Sequence, residues 1–354
     1  MVQFEGPEKK FEVVVSPKAG DLRSFGDSYW KGIVNLASAD ILSKISNSHC
    51  DAYLLSESSL FVFSDRAIML TCGQTTLVRS LIELISKVKS ENLESLIFER
   101  KNEHFPNLQL TSFDEDILLL KEHVKGTTYS FGEMDGHYLS MFHLDQTYSP
   151  STDDRTLEIL MYGIDCETQA KFSTHNPGQP ETMAPDSTAR HFIDGFQIDD
   201  HIFMPSGYSL NAIHDRYYYT IHVTPETNCS FVSFETNYVF ESESEVESCI
   251  HKVLREFRPE RFDLIYFSKD SNLNYQNRQY GLQNSEYRRM ACGYGVQFSH
   301  YLNTRNQSSL QPSQQSNQHS KQMPNQNNQA TSIEAASSTE EKWTAEIINL
   351  RKTR

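Results

Sequence analysis

The chain has 354 residues, of which 38% are hydrophobic, and a formal net charge of −15 at pH 7. This length and hydrophobic content can fill a large core, either as one domain or as two fused halves. The acidic charge argues against a nucleic-acid-binding protein and weakly favours a cationic small molecule as ligand.

Six cysteines are spread along the chain without a CxxC pair. They are Cys50, Cys72, Cys166, Cys229, Cys249 and Cys292. Their spacing predicts reduced thiols and no metal site. Because no apolar run has the length of a signal peptide or of a membrane span, we expect a soluble cytoplasmic protein that does not contact a membrane.

The first third of the chain predicts two helices around a β-hairpin. A short strand covers residues 11–15, and an amphipathic helix is predicted over 28–46. The apolar residues of that helix are Trp30, Ile33, Val34, Ala37, Ile41, Leu42 and Ile45. Two β-rich runs, 60–63 and 67–73, flank a polar turn at 64–66 and predict the hairpin. The second helix follows, with apolar residues at Leu77, Leu81, Ile82, Ile85 and Val88.

The hairpin geometry predicts that Ser58 lies opposite Cys72. If the turn is centred on Asp65, antiparallel partners have numbers that sum to about 130. Opposed residues of an antiparallel pair present their side chains on one face. A hydroxyl and a thiol are therefore expected to lie close together.

A second hairpin is predicted from the runs 207–213 and 217–223 around a polar turn at 214–216. Here the partner numbers sum to about 431, which sets Ser209 opposite His222. After a further strand, a helix follows with apolar residues at Val246, Ile250, Val253, Leu254 and Phe257. Each hairpin thus brings two reactive side chains together, as nucleophilic and proton-transfer chemistry requires.

The recurrence of strands followed by a helix predicts an internal duplication. We expect an α+β protein, a four-layer αββα sandwich in which helices cover the outer faces of two antiparallel sheets. Further helices are predicted over 114–124 and 156–162, the latter capped by Asp154 or Thr156.

The C-terminal part of the chain has a different composition, so we place the folded domain at 1–302. Residues 303–341 are rich in Asn, Gln and Ser, which predicts disorder because such a segment buries too little apolar surface. Residues 342–354 could form a short helix, with apolar side chains at Trp343, Ile347, Ile348 and Leu350.

Several blocks of residues occur in the order known from one protein family. They are Phe4-Glu5-Gly6, Leu55-Ser56-Glu57-Ser58-Ser59, Thr71-Cys72-Gly73, Phe203 with Gly207-Tyr208-Ser209, Thr220-Ile221-His222-Val223-Thr224-Pro225-Glu226 and Ser233-Phe234-Glu235-Thr236-Asn237. On these blocks the chain resembles the eukaryotic-type S-adenosylmethionine decarboxylases, pyruvoyl enzymes of polyamine synthesis. The resemblance implies the same αββα fold and the decarboxylation of S-adenosylmethionine to the aminopropyl donor for spermidine and spermine.

The resemblance also implies how the catalytic group is made. The chain would cut itself between Glu57 and Ser58, giving a β chain of residues 1–57 and an α chain that starts at residue 58. Ser58 would become a pyruvoyl group, whose ketone forms a Schiff base with the substrate's amine and acts as the electron sink. In the family's motif the position of His222 removes the Cα proton, that of Ser209 assists ester formation, and that of Cys72 protonates the carbanion.

Substrate binding is implied at four positions. Phe4 and Phe203 fall on the family positions that sandwich the adenine, where stacking and attraction of the sulfonium to an aromatic face both help. Glu226 falls on the carboxylate that binds the ribose hydroxyls, and Glu57 is placed in the same pocket.

A site for the activating diamine putrescine is implied at a third group of residues. They are Glu12, Asp154, Thr156, Glu158, Glu235 and Phe267. The sequence departs from the family here: Leu70 stands where many members have a lysine, and Glu103 where an aromatic residue is usual. We therefore expect a hydrated, open cluster that responds weakly or not at all to putrescine.

Other interpretations remain at this stage. Taken singly, the Ser-Glu-Ser-Ser run is typical of a loop or helix cap, and Cys72 and His222 are typical of buried strand residues. The chain could be a catalytically inert regulatory partner subunit, or a decarboxylase for another amino acid. Its oligomeric state, including a dimer of the two-chain unit, is left open.

Overall fold

The computed structural model describes residues 4–133, 136–172, 188–226, 228–269 and 272–304, all within one compact unit. Both tail segments, apart from residues 303 and 304, lie outside these ranges. Asn303, predicted to begin the disordered tail, instead ends the last strand. Among the described helices, none combines the length and the apolar character that a membrane span needs.

The first half of the chain forms an eight-stranded antiparallel sheet. Its strands are β1 (Lys9–Val15), β2 (Ile41–Ser46), β3 (Asp51–Leu55), β4 (Ser58–Val62), β5 (Arg66–Thr71), β6 (Leu93–Lys101), β7 (Gly126–Gly132) and β8 (Tyr138–Leu144). Their spatial order is β2-β3-β4-β5-β1-β6-β8-β7. The first strand of the chain therefore lies in the middle of this sheet.

The second half forms another eight-stranded antiparallel sheet. Its strands are β9 (Thr156–Ile164), β10 (Gln197–Ile202), β11 (Tyr208–His214), β12 (Tyr217–Thr224), β13 (Phe231–Thr236), β14 (Pro259–Ser268), β15 (Tyr280–Arg289) and β16 (Gly295–Asn303). Their order is β10-β11-β12-β13-β9-β14-β16-β15, which is the order of the first sheet with eight added to each number. This identity of strand order fits the predicted duplication.

Helices cover the outer faces of both sheets. They are α1 (Asp27–Leu36), α2 (Leu77–Val88), α3 (Phe113–Lys121), α4 (Cys166–Lys171) and α5 (Glu243–Phe257). Apolar residues of α1, α2 and α3 pack on the first sheet, and those of α5 pack on the second. The two inner faces meet in two further apolar clusters, so the predicted four-layer αββα sandwich is confirmed.

Two predicted helices are corrected. The periodic segment 28–46 is a helix only to Leu36 and then becomes strand β2, whose exposed and half-buried residues alternate as at a sheet edge. Residues 156–162 belong to β9, a strand buried on both faces, whose continuous apolar run resembles a short helix. Consequently neither Asp154 nor Thr156 caps a helix. The helix predicted over 114–124 is confirmed as α3, which has a capping box at Ser112 and Glu115.

All six cysteines are free thiols, as their spacing predicts. Cys50, Cys72, Cys249 and Cys292 are buried, whereas Cys166 is exposed and Cys229 is half-buried. Burial is the common state of a reduced cysteine in a folded core.

Candidate active site

The first hairpin has a register one residue away from the predicted one. Phe63 donates its N–H to the carbonyl of Arg66, which closes a turn with only two central residues. Partner numbers therefore sum to 129, and Ser58 lies opposite Thr71 instead of Cys72. The prediction of a Ser58–Cys72 pair is wrong because the turn is centred between two residues and not on Asp65.

The corrected register places Cys72 opposite Glu57, at the predicted cleavage point. The carbonyl oxygen of Glu57 accepts two hydrogen bonds from Cys72, at 2.9 Å from its backbone nitrogen and at 3.4 Å from its Sγ. Burial, and after it the carboxylates of Glu57 and Glu8, raises the pKa of the Cys72 thiol well above its ordinary value. The thiol is therefore protonated at neutral pH and can donate a proton.

Ser58 is the first residue of β4 and has an unusual backbone conformation. Its φ is +134°, a value that residues other than glycine rarely adopt and that stores strain of about 1–3 kcal/mol. The side chain is 1% exposed, and its hydroxyl donates to Glu8 Oε1 at 3.4 Å. The peptide bond between Glu57 and Ser58 thus joins a strained residue to a carbonyl held by two donors.

The second hairpin has the predicted register, with Ser209 opposite His222. Ser209 Oγ lies 2.9 Å from His222 Nδ1, and Nε2 lies 3.1 Å from the hydroxyl of Ser59 and 2.9 Å from that of Thr220. Burial lowers the pKa of His222 to about 4, so the imidazole is neutral at pH 7. Ser59 therefore joins the two hairpins and brings His222 beside residue 58.

Glu8 is a residue of this site that the sequence interpretation missed. Its carboxylate accepts from Ser58 and, at 2.7 Å, from Ser233, and it lies 4.0 Å from His222 Nε2. Lys101 Nζ, also fully buried, is 3.3 Å from the other carboxylate oxygen. The sequence did contain a pattern that points to Glu8. Glu8, Lys10 and Glu12 are spaced two residues apart, so in a strand their side chains share one face.

The predicted substrate residues near the N-terminus converge on Gly73. A Cβ at Gly73 would lie 2.8 Å from Glu57 Oε2 and 3.3 Å from the ring of Phe4, and its φ is +68°. The backbone N–H of Phe4 donates to Glu226 Oε1 at 3.1 Å. Burial raises the pKa of Glu57 to about 7. Phe4, Glu57 and Glu226 therefore lie close together beside Cys72.

Phe203 follows strand β10, next to the hairpin that carries Ser209. It is half-buried, it bonds through its backbone N–H to the carbonyl of Gly207, and its ring packs edge-on against His201 at 4.8 Å. No ring-to-ring contact with Phe4 is present among the described residues. The rings of Phe4 and Phe203 are therefore not stacked on each other.

The implied diamine residues Glu158 and Glu235 are already paired with lysines. Lys10 Nζ lies 2.7 Å from Glu158 and 3.0 Å from Glu235, and Lys101 Nζ lies 2.9 Å from Glu158. Although burial opposes ionisation, the two lysines lower the pKa of Glu158 to about 2. Burial raises the pKa of Glu99, the neighbouring carboxyl, to about 8.

The other two acidic residues of the cluster are paired with Arg66. Its guanidinium is 2.8 Å from Glu12 and makes two hydrogen bonds of 2.8 Å to Asp154. Asp154 also accepts hydrogen bonds from Tyr148 and Tyr294. Two parallel N–H groups of a guanidinium match the two oxygens of a carboxylate. Arg66 therefore neutralises the acidic residues at this end of the cluster.

The space left between these residues is small. A cavity of about 10 Å³ remains beside Lys10, Thr156 and Phe267, which is room for about one water molecule. The expectation of a hydrated, open cluster is wrong because internal lysines fill it. Glu103 takes no part, since it pairs with Arg100, and Leu70 lies in an apolar cluster between the sheets.

The family model described as adenosylmethionine decarboxylase matches residues 1–322. An S-adenosylmethionine decarboxylase proenzyme of Leishmania donovani is 40% identical over 282 residues, which are 75% of this chain and 73% of that protein. The corresponding proenzyme of Dictyostelium discoideum is 30% identical over 326 residues, covering 84% and 85% of the two chains.

A solved structure is also similar. The crystal structure of a Trypanosoma brucei AdoMetDC-delta26 monomer has 29% sequence identity and a TM-score of 0.55. The match covers 69% of this chain and 98% of that one. The two-sheet architecture is therefore shared with a protein of known structure.

Proposed function

Because the chain belongs to the adenosylmethionine decarboxylase family, we propose that it cuts itself between Glu57 and Ser58 and decarboxylates S-adenosylmethionine. The observation that carries this proposal is the geometry of the Glu57–Ser58 peptide bond. A strained serine with a buried hydroxyl follows a carbonyl that two donors of Cys72 polarise. Such an arrangement favours attack by a neighbouring hydroxyl on that carbonyl.

Cutting begins when Ser58 Oγ attacks the carbonyl carbon of Glu57. The hydroxyl proton passes to Glu8, whose carboxylate accepts it at 3.4 Å. The negative charge on the former carbonyl oxygen is stabilised by the N–H and S–H donors of Cys72. When the C–N bond breaks, the nitrogen of residue 58 takes a proton and the amide has become an ester.

His222 then removes the Cα proton of residue 58. Its neutral imidazole can accept that proton, and with a hydrogen on Nδ1 it donates to Ser209 and leaves the lone pair of Nε2 facing Ser59. Elimination breaks the Cβ–Oγ bond, so Glu57 leaves with a new terminal carboxylate. Addition of water and loss of ammonia at residue 58 complete a pyruvoyl group.

The site suits a pyruvoyl group at position 58. Residue 58 is buried, and both a protonated thiol and a neutral imidazole lie beside it. The group would supply the electron sink that no ordinary side chain provides. The role of Cys72 is to return a proton to the substrate carbon after carbon dioxide leaves, which its raised pKa supports.

The residues around Gly73 supply the groups that an adenosyl substrate requires. Phe4 offers an aromatic face to the purine or the sulfonium, and Phe203 offers a second across the site. Glu226 is already held by the N–H of Phe4, which leaves carboxylate lone pairs for the ribose hydroxyls. Glu57, neutral in part near pH 7, can donate or accept there.

An inert partner subunit is the alternative, and the site geometry argues against it. A partner without activity has no need for the Ser209–His222 pair beside Ser59 or for the two Cys72 donors on the carbonyl that precedes Ser58. The deciding assay is the release of labelled carbon dioxide from carboxyl-labelled S-adenosylmethionine by the purified full chain. Release that is abolished by borohydride treatment in the presence of substrate supports the proposal, and absence of release from cut protein contradicts it.

A further inference from the structure

Three side chains outside this site form a compact group of metal-ligand type. Asp263 accepts hydrogen bonds from His137 Nδ1 at 3.0 Å and from His300 Nδ1 at 2.6 Å, one on each carboxylate oxygen. The two imidazole rings stack at 4.1 Å with an interplanar angle of 23°. One donor atom from each residue lies within 4.8 Å of the others.

The group joins the two sheets. Asp263 of β14 and His300 of β16 are direct cross-strand partners in the second sheet. His137 comes from the connection between β7 and β8 of the first sheet. The three side chains come from segments that are distant in sequence, and they meet between the two sheets.

We propose that His137, Asp263 and His300 bind a divalent transition-metal ion of the Zn²⁺ class. Two imidazoles and one carboxylate are a donor set that such ions prefer over Mg²⁺ or Ca²⁺. The Nδ1 atoms lie 2.6 and 3.0 Å from the carboxylate oxygens, whereas ligands of a tetrahedral ion at about 2.1 Å are about 3.4 Å apart, so the three side chains must spread to admit an ion. The ion replaces the hydrogen on each Nδ1, and the ring remains neutral by carrying its hydrogen on Nε2.

The surroundings also suit an ion with additional ligands. The Asp263 side chain is 0% exposed, whereas those of His137 and His300 are 14% and 17% exposed, which leaves a route for entry from solvent. The ring of Tyr162 packs against His137 at 4.7 Å and encloses one side of the group. Three protein ligands leave coordination positions for water.

The test uses the purified full chain freed of metal and titrated with Zn²⁺ by calorimetry and with Co²⁺ by visible absorption. We expect one equivalent to bind at micromolar free metal, with weak d–d bands of nitrogen and oxygen ligation. His137→Ala and Asp263→Asn should each weaken binding by at least about tenfold. His251→Ala, an exposed histidine of α5, is the matched control and should bind as the native chain does.

Three results would overturn the proposal. The first is that the native chain binds no metal, and the second is that the His137→Ala variant binds it as tightly as the native chain. The third is an intense thiolate-to-cobalt absorption, which would show that a cysteine binds the metal. Because His137 lies in a connection and is partly exposed, its removal leaves both sheet cores intact and keeps the test valid if Asp263→Asn fails to fold. Since the ion joins two sheets, Zn²⁺ should also raise the melting temperature of the native chain and not that of His137→Ala.

Discussion

The carbonyl oxygen of Glu57 accepts hydrogen bonds from both the backbone nitrogen and the thiol of Cys72, at 2.9 and 3.4 Å. One residue therefore serves two proposed steps, first as donor to the carbonyl under attack and later as proton source. Both tasks require a protonated thiol, and burial beside two carboxylates raises the pKa of Cys72 accordingly.

The first prediction concerns the site of cutting. The native chain should purify as two chains of 57 and 297 residues, since 354 − 57 = 297. Ser58→Ala should remain one chain without activity, because no hydroxyl remains to attack. The matched control is Ser56→Ala, which loses only a hydrogen bond accepted from the N–H of Asp40 at the surface and should cut normally. Intact mass spectrometry gives the answer, and an uncut native chain with an ordinary serine at 58 would contradict the proposed function.

The second prediction separates cutting from turnover. Cys72→Ala keeps the backbone donor, so cutting should slow only about fivefold, the effect of one modest hydrogen bond. Decarboxylation should fall far more, because the proton source is gone. His222→Ala should stop as an uncut chain or as an ester that hydroxylamine cleaves. Cleavage is followed on gels, and carbon dioxide release is measured on the same samples. If both variants were cleaved and released carbon dioxide at the rates of the native chain, these roles would be refuted.

The third prediction tests Glu8 as the base for Ser58. Glu8→Gln preserves size and hydrogen bonding but cannot take the hydroxyl proton, so cutting should slow by roughly 10²- to 10⁴-fold. Glu83→Gln, at an exposed position of α2, is the control for loss of one carboxylate and should have no effect. Cutting is followed in time after synthesis of the precursor. A native rate in Glu8→Gln would assign the proton transfer to another group.

The fourth prediction concerns the lysine that fills the acidic cluster. Putrescine should not stimulate the native chain, because Lys10 pairs with Glu158 and Glu235 and leaves a cavity of only about 10 Å³. Lys10→Ala removes that charge, leaves Glu235 without a lysine partner and leaves Glu158 with Lys101 alone, at a cost of about 3–5 kcal/mol. Cutting and activity should fall and should recover with millimolar putrescine. The uncharged 1,4-butanediol should not restore them, and strong stimulation of the native chain would show that Lys10 does not occupy the site.

The fifth prediction follows from the pKa of Glu57, which burial raises to about 7 from an ordinary value near 4.5. The folded chain holds this proton more tightly than the unfolded chain, so the stabilisation is present below pH 4.5 and is lost as the pH rises to about 7. Melting temperatures of Ser58→Ala, which stays in one piece, are compared with those of the same variant carrying Glu57→Gln. The added change should flatten the decline between pH 4.5 and 7. Identical slopes in both variants would place the Glu57 carboxyl in an ordinary environment.

The sequence predicted the architecture well where hydrophobic periodicity was unambiguous. Helices α2, α3 and α5 follow from that pattern, and the Ser209–His222 register follows from the position of the polar turn at 214–216. The segment 156–162 was misassigned because a strand buried on both faces has no alternation and resembles a short helix. The register of the first hairpin depended on whether the turn has two or three central residues, which composition does not decide.

The site residues that belong to a sequence motif could be predicted, whereas those that are brought together only by the folded structure could not. Ser58, Cys72 and His222 lie in recognisable blocks, but Glu8 and Lys101 are paired only when the neighbouring strands β1 and β6 align, and Glu8 reaches Ser233 only when the second sheet packs on the first. The prediction that the acidic cluster lacks a cation was also misled. It rested on the absence of a lysine at position 70, but Lys10 lies opposite Leu70 on the neighbouring strand. Charge balance in a buried cluster is a property of the packed layers.

The position of β1 gives the proposed cut a lasting consequence. Residues 1–57 contribute β1, which lies between β5 and β6, as well as β2 and β3 at one edge of the same sheet. After the proposed cleavage, the smaller chain would stay inserted in the sheet of the larger one and could leave only by breaking three strand pairings, β3–β4, β5–β1 and β1–β6. Before cleavage, residues 1–57 fold while they are covalently joined to the rest of the sheet, and after cleavage that connection is gone. A cut molecule that unfolds must find a separate partner in solution, which makes its unfolding effectively irreversible when dilute.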